Sequence, residues 1–561
     1  MSPEPAAHGL DNGPTELELN VSQSPNYTLT AHAPLFGPDK STSSLVDEFF
    51  RVLYPVPSFS FLHPRTTRER LAEGSLDEAL VFAICGATTS LRYTEPESRD
   101  RSLSWISRSE ELVWQQLERP SMARLQALIL CIAYRTATGA SHRAFMLAGL
   151  AARAAAAMRL NHERHDLDPI SNEVRRRTLW SLKILELYFS IGLPEYELLP
   201  LENVYLQLPS REENFQDKAP AVQMEGGSYK LFVRLTSIRR DIMKLTRSIA
   251  LCDEPFPQLL KLVRSLHNEL SQLRSQMPVD PTSASTGVLR CVSTPWLARH
   301  LVMHLSWHQC RCDLYRLLLK GYPEAAPPIV LADLDPDAMS DAVQMCSESA
   351  LSMIQTLSDV NLHSTDTPIL EYDTAICGYH ACRLVLFLAH AQPGCARFSK
   401  EYAISRAELC LAAIKRFFRH STPAGPILKD LENLISKCDT SPAEWTHLTL
   451  RSSPSEQSRD PLLSEVARAK QRLAIHSLLR QADFEDGEPS AVVSPSSVST
   501  EIPSVRHRNM YKVLSLEQGR AIRADSSLGY VPQPDAQVQQ TAGYEDVPAF
   551  SSQTLLFPWC G

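Results

Sequence analysis

Residues 123–163 read ARLQALILCIAYRTATGASHRAFMLAGLAARAAAAMRLNHE. Apolar residues recur here at helical spacing on both sides of a polar, glycine-containing turn, RTATGAS. Two broadly apolar helices are expected, over about 122–138 and 142–160. No alternating strand pattern of useful length interrupts them. A second polar turn, NHERHDLDP, leads to SNEVRRRTLWSLKILELYFSIGLP at 171–194, which carries a further helix over 171–191. Upstream, SLVDEFFRVLYPVPSFSFLHP begins at Ser44, with Val46, Phe49, Phe50 and Leu53 at helical spacing and a stop at Pro55. Helices at about 76–92 and 100–117 fill the gap.

Downstream, a polar linker near 208–222 precedes a second helical group. Its members lie at about 226–251, 256–276, 292–320, 336–358, 368–391, 401–420 and 425–437. The composition agrees. Of 561 residues 43% are apolar, glycine is scarce at 20, and the 39 prolines gather between the periodic segments. The fold class is therefore all-α, a large multi-helix core with disordered N- and C-terminal flanks. The flanks are 1–42, rich in Pro, Ser, Asn and Gly, and 441–561, Ser/Pro-rich with one short amphipathic helix near 460–482. The core divides into 43–210 and 211–440.

The formal charge is −8 at pH 7, a weak match for phosphate backbones. The first thirty residues contain no apolar run of signal-peptide type. Nowhere do about eighteen uncharged apolar residues occur together, and the most apolar stretch, Ala144 to Leu160, is interrupted by Arg153 and Arg159, so no membrane span is expected. The thirteen cysteines are scattered through apolar segments, which fits free thiols in a reducing compartment.

The order of motifs over 44–210 resembles the middle homology region of fungal zinc-cluster transcription factors. FFRVLYPVPSFSFLHP is similar to the family's entry helix and aromatic turn. The stretch from 123 matches its central helical pair at Gln126, Leu128, Tyr134, Gly139, Gly149, Ala151, Arg153, Ala155, Leu160 and His162. The most characteristic part is matched by Glu173, Arg175, Arg176, Arg177, Trp180, Ser190, Gly192 and Pro194. HLSWHQCRCDLYRLLLKGYPEAAP, from His304 to Pro327, is similar to a later family helix. Two features depart from the pattern. The family's Asp-Arg pair after the tryptophan is Glu186-Leu187 here, and its arginine between glycine and proline is Leu193. No cysteine precedes Cys85 and no Cys-x-x-Cys occurs, so the six thiolates that hold the family's two zinc ions are lacking.

Several residues invite a chemical role. Arg175, Arg176 and Arg177 suggest an import signal or a phosphate contact, but consecutive helical residues point about 100° apart. Glu173 lies one turn before Arg177, so a structural ion pair between packed helices is expected. His304 and His308 lie one turn apart and suggest a metal, yet Cys312 is about 12 Å from His304 along the axis by the 1.5 Å rise. Packing is the expected role of these residues and of Cys310. Asp333, Asp335 and Asp337 imitate a calcium loop that lacks its turn glycine and places Gln344 where the bidentate glutamate belongs. A helix start is expected instead, with Asp335 as N-cap and Pro336 in the first turn. No glycine-rich phosphate loop, nucleophile elbow or paired-histidine zinc motif occurs. In the tail, ADFEDGE at 482–488 and YEDVPAF at 544–550 suit either coactivator docking or a solvated linker. Arg506, Arg508 and Lys512 form a weak basic group.

The resemblance implies a nuclear transcription regulator, not an enzyme, needing no cofactor in these residues. Its core would contact other regulators or coactivators, possible homo- or heterodimers included. DNA would be reached only indirectly or through a module beyond the sequence, as in a truncated gene product. The alternatives are a headless modulator that dimerises with a complete zinc-cluster factor, and a cytosolic helical scaffold.

Overall fold

In the computed structural model several helices begin at a capping side chain, and the apolar periodicity fixes which face turns inward. The structure describes residues 40–438, apart from 94, 192, 216–226, 251, 253, 282–285 and 392–398. The expected disordered flanks, the helix near 460–482, the acidic-aromatic patches and the basic group at 506–512 fall almost entirely outside these residues.

The first helices are α1 (Lys40–Glu48), α2 (Pro64–Ala72), α3 (Glu78–Arg92), α4 (Pro96–Trp114), α5 (Met122–Ala137), α6 (Ser141–Ala157) and α7 (Pro169–Ser190). One-turn α8 (Glu212–Phe215) precedes α9 (Ser228–Ala250), α10 (Leu259–Arg274), one-turn α11 (Thr286–Leu289) and α12 (Leu297–Tyr315). Then come α13 (Pro328–Leu331), α14 (Pro336–His363), α15 (Asp373–Ala391), α16 (Lys400–Phe417) and α17 (Ala424–Ser436). Among the described residues the only β-type pairing is an isolated bridge between His162 and Tyr205. The fold is all-α.

Side-chain caps mark several helix starts. Asp77 accepts the Ala79 N–H at 2.9 Å, and Asp168 accepts those of Ile170 and Ser171 at 3.0 Å, with Pro169 next in line. Asp335 accepts the Asp337 N–H at 3.1 Å ahead of α14, the helix start expected for the aspartate cluster. Ends are set differently. At the end of α5, Gly139 takes φ 82° and the Ala140 N–H closes on the Arg135 carbonyl at 2.9 Å. A side chain there would also collide with Thr422, whose Cγ2 lies 2.6 Å from the position of a Cβ.

Several boundaries differ from expectation. The segment 142–160 stops at Ala157, because Arg159 adopts φ 48° and Leu160 N–H bonds back to Ala155 at 2.9 Å. Helix 292–320 is shorter at both ends, since Pro295 precedes its first turn and Arg316–Leu318 tightens to a 3-10 turn. α14 runs on to His363, and α1 continues into a π turn at Phe49–Leu53. α2 was not expected at all. Its sequence is polar and only Thr67 is buried, so it rests on Pro64 in the first turn and the His63 ring, which accepts the Thr66 N–H at 3.2 Å.

Two helices form the spine. Every residue of α12 from Leu297 to Leu314 is buried, as is every residue of α15 from Thr374 to His390. α9, α14 and α15 surround α12, while α14, α16 and α17 surround α15. α15 is the one described helix long and apolar enough to cross a membrane, and 94% of that window is enclosed by its neighbours. It is a core helix. Trp180 and Ile184 on α7 meet Tyr229, Phe232 and Val233 on α9 and Val302 on α12, so one apolar cluster spans both helical groups. All described residues belong to one compact unit, Met1–Glu485.

Close packing of the spine yields a prediction. A Cβ at Gly378 would lie 2.8 Å from Ile414 Cδ1 and 2.9 Å from Leu357 Cδ1, where α14, α15 and α16 converge. Gly378→Leu is expected to cost about 1–3 kcal/mol by overpacking, read as a lowered urea midpoint. An unchanged midpoint would show that this junction is loose.

Candidate functional site

Charged side chains inside apolar helices are expensive to bury unless each finds a partner. Arg177 on α7 and Arg299 on α12 are both fully buried and converge on one carboxylate, Glu212 of the single-turn α8. Each donates through Nη1 to Glu212 Oε1 at 2.8 Å. Glu212 Oε2 accepts the Tyr54 hydroxyl at 2.6 Å. Arg177 Nε reaches Glu173 Oε1 at 2.8 Å and its Nη2 the Ser210 carbonyl at 2.9 Å. Arg299 closes the cage, donating to the Pro55 carbonyl at 3.0 Å and to Ser60 Oγ at 2.6 Å. Two guanidinium groups thus face two carboxylates.

Aromatic faces line the cage. The Arg177 guanidinium sits 4.1 Å from the Phe215 ring centroid, and Arg299 sits 4.6 Å from that of Trp296. Burial alone would push the Glu212 carboxyl up, but Arg177 and Arg299 outweigh it and hold the group at about 2. Burial likewise opposes the charge on Arg177, yet Glu212, Tyr54 and Glu173 leave its pKa raised. Burial and the Glu212 charge push the Tyr54 hydroxyl well above its ordinary value, so it remains a donor. Nearly every polar atom here is committed. The arrangement is a lock joining the aromatic turn after α1, α7, α8 and α12, with no exposed nucleophile or proton carrier.

The expected linker at 208–222 is therefore partly a structural element. Glu212 and Phe215 are buried, and Ser210 N–H donates to Glu173 Oε1 at 2.8 Å. The three consecutive arginines go three ways. Arg175 Nη2 donates to the Met158 and Arg159 carbonyls at the end of α6, each at 3.3 Å. Arg176 pairs with Glu163 at 2.6 Å and touches the outer oxygen of Glu173 at 3.2 Å, while Arg177 enters the cage. Trp180 donates its indole N–H to the Gln207 carbonyl at 3.1 Å. Gly192 lies outside the described residues, and Pro194 opens a one-turn 3-10 helix. Glu186, which replaces the family's aspartate, is buried and caps the Leu198 and Leu199 N–H groups while pairing with Lys183 at 2.8 Å.

A second buried network was not foreseen. Arg239 on α9 bonds Asp373 at 2.7 Å and Asp313 at 3.2 Å, tying α9 to α15 and α12. Arg316 adds a contact to Asp313 at 3.0 Å. Glu371 accepts the Ser58 N–H at 2.7 Å and the Tyr188 hydroxyl, joining α7 to the start of α15. The signal available in sequence was the placement of Arg299, Asp313 and Arg383 within otherwise apolar segments. Nothing local marked Glu212.

His304 and His308 face α14. His304 Nε2 lies 3.0 Å from Thr356 Oγ1, and His308 Nε2 lies 2.8 Å from the Pro281 carbonyl and 3.0 Å from Ser352 Oγ. Cys310 and Cys312 contact the carbonyls of Leu235 and Cys346 instead. Burial pushes His304 down to about 4 and His308 well below the usual imidazole range. Both are neutral when folded, whereas the unfolded chain binds protons from about pH 6.5 downward. Their contribution to stability is present above that range and is lost as pH falls towards 4. His304→Gln with His308→Gln should flatten the fall of urea midpoint between pH 7 and 5. An unchanged slope would place the acid sensitivity elsewhere.

Comparison with known proteins now bears on the cage and its surroundings. Residues 46–298, which run from the last turn of α1 to the residue before Arg299, match the family described as the fungal specific transcription factor domain. The chain carries a fungal specific transcription factor domain. A Zn(2)-C6 fungal-type transcription factor of Fusarium oxysporum f. sp. lycopersici is 26% identical over 239 residues, covering 39% of this chain and 25% of the relative. The nitrogen assimilation transcription factor nit-4 of Neurospora crassa is 22% identical over 253 residues, 41% of this chain and 22% of the relative. An uncharacterized transcriptional regulatory protein of Schizosaccharomyces pombe is 25% identical over 197 residues, 32% of this chain and 20% of the relative. The match thus spans a quarter or less of the length of these relatives. No solved structure matches. Within the fungal specific transcription factor domain lie Tyr54, Glu173, Arg177 and Glu212, and Arg299 follows its last residue directly.

Proposed function

We propose that this chain regulates transcription in the nucleus as a non-enzymatic helical core that binds other regulators or coactivators. The match of residues 46–298 to the fungal specific transcription factor domain carries this reading. Relatives named as transcription factors in two fungi support it. Contact with DNA would come from a zinc cluster outside these 561 residues or from a dimer partner, because the sequence holds no Cys-x-x-Cys pair. The cage supplies the physical means of regulation. It ties the first seven helices to α12 through one short segment, so a partner or effector that prefers one arrangement of Glu212 would bias the whole core.

The test fuses the full chain to a heterologous DNA-binding domain and measures a reporter in a fungal host, alongside localisation of a tagged chain. The expected result is a nuclear protein that changes reporter output, with Arg177→Ala altering that output at equal protein level. A persistently cytoplasmic chain without effect on the reporter would overturn the proposal in favour of a scaffold.

A further inference from the structure

Seven arginines are buried among the described residues, and six of them have a carboxylate oxygen within 3.4 Å. Arg311 is the exception. Its side chain is 9% exposed, yet the nearest carboxylate oxygen, on Glu348, is 3.9 Å away. Its Nε is buried without any acceptor, and Nη2 meets only the thioether of Met345 at 2.5 Å. A thioether is a weak acceptor, so the Nε and Nη2 donors of this guanidinium are poorly compensated. The Trp307 ring, 5.1 Å away, offers its face but no hydrogen bond.

The surroundings are built rather than accidental. Arg311 lies on α12 between α10 and α14. From α10, His267 Nδ1 is 3.0 Å from the Tyr315 hydroxyl, forming a polar edge beside the arginine. Burial and the Arg311 charge both push that imidazole's pKa down. From α14 comes Glu348, but its Oε1 is engaged by Gln344 Nε2 at 2.9 Å. Glu348 is 38% exposed, and its Oε2 stays 3.9 Å from Arg311 Nη2.

We infer that Arg311 anchors a binding site for a small organic carboxylate, walled by Tyr315, His267 and Met345 and gated by Glu348. A planar carboxylate can take two parallel N–H bonds from a guanidinium edge, which suits the one buried arginine without that partner. A single negative charge fits better than a phosphate dianion, since Glu348 and the nearby Asp341 already contribute negative charge. The apolar and aromatic walls favour an acid with a hydrophobic body. The site is separate from the cage and does not depend on the transcriptional reading.

The experiment titrates the full chain with sodium benzoate, sodium acetate and inorganic phosphate, following melting temperature and heat. Benzoate should give a saturable rise in melting temperature, acetate a weaker one, and phosphate none. Arg311→Met should abolish the benzoate response. Glu348→Gln should tighten benzoate binding about fivefold by removing a competing charge near 4 Å. If Arg311→Met fails to fold, Arg311→Lys, which keeps the charge but loses the fork, should weaken binding at least as strongly as Glu348→Gln tightens it. A benzoate response that survives in Arg311→Met, or that is undiminished in Arg311→Lys, overturns the inference. So does a Glu348→Gln chain that melts lower and binds no better than the parent, because Glu348 would then be the partner of Arg311. An equal response to phosphate overturns the assignment to carboxylates.

Discussion

Glu212→Gln is expected to destabilise the folded chain by about 3–5 kcal/mol, the usual consequence of removing one partner from a buried ion pair. The substitution keeps the shape of the side chain and an acceptor for the Tyr54 hydroxyl. It removes the carboxylate charge that Arg299 meets at 2.8 Å and one of two that Arg177 meets. Arg177 would keep Glu173, while Arg299 would lose its close carboxylate partner. The effect should depend on pH in a defined direction. The Glu212 carboxyl is held at about 2, below its value of 4.5 in the unfolded chain. Its contribution is therefore fully present above pH 4.5 and is lost as pH falls towards 2. The difference between parent and variant should shrink over that window, measured by urea unfolding in a pH series. A constant difference would mean that packing of α8, rather than charge, holds the segment. Glu212→Gln combined with Arg299→Met should cost less than the two separate effects added, since the two groups are in contact.

Arg239→Met should cost a similar amount, about 3–5 kcal/mol, for a mirror-image reason. Here a cation is removed from two aspartates. Asp313 keeps Arg316 and the Gln309 amide, at 3.0 and 2.7 Å. Asp373 keeps only the Ser306 hydroxyl at 3.2 Å and the Cys377 thiol at 3.8 Å. A buried carboxylate without a cation has its pKa raised, so stability in the variant should fall as pH rises through that raised value. The penalty should therefore narrow on acidification. Adding Asp373→Asn should recover part of the loss at neutral pH. If Asp373→Asn instead adds its full cost to that of Arg239→Met, the two residues are not coupled and the network reading fails.

These two expectations concern residues of very different legibility. The helices themselves were readable wherever a cap and an apolar stripe coincided, as with Asp168-Pro169 before α7 and Asp335-Pro336 before α14. The pair Glu173–Arg177 was readable too, because both ends lie on one helix four residues apart. α2 escaped notice because it has almost no apolar stripe, and the end of α6 was misplaced because Arg159 adopts a conformation usually left to glycine. Glu212 escaped because its surroundings are polar. One of two adjacent glutamates in LPSREENFQDKAP, Glu212 carries no mark of the two arginines 35 and 87 residues away that it serves.

The amino-acid order alone determined the class of the fold and the approximate number and place of its long helices, whereas the burial of α12 and α15 as a spine came from their packing. It also placed charges inside apolar helices, which announces that partners must exist. Only the tertiary structure decided who those partners are: Glu212 for Arg177 and Arg299, Asp313 and Asp373 for Arg239, and none of comparable closeness for Arg311. The reason is one of range. Helical periodicity and capping act over three or four residues and are written locally, whereas desolvated ion pairs form between groups that meet only after the helices have packed.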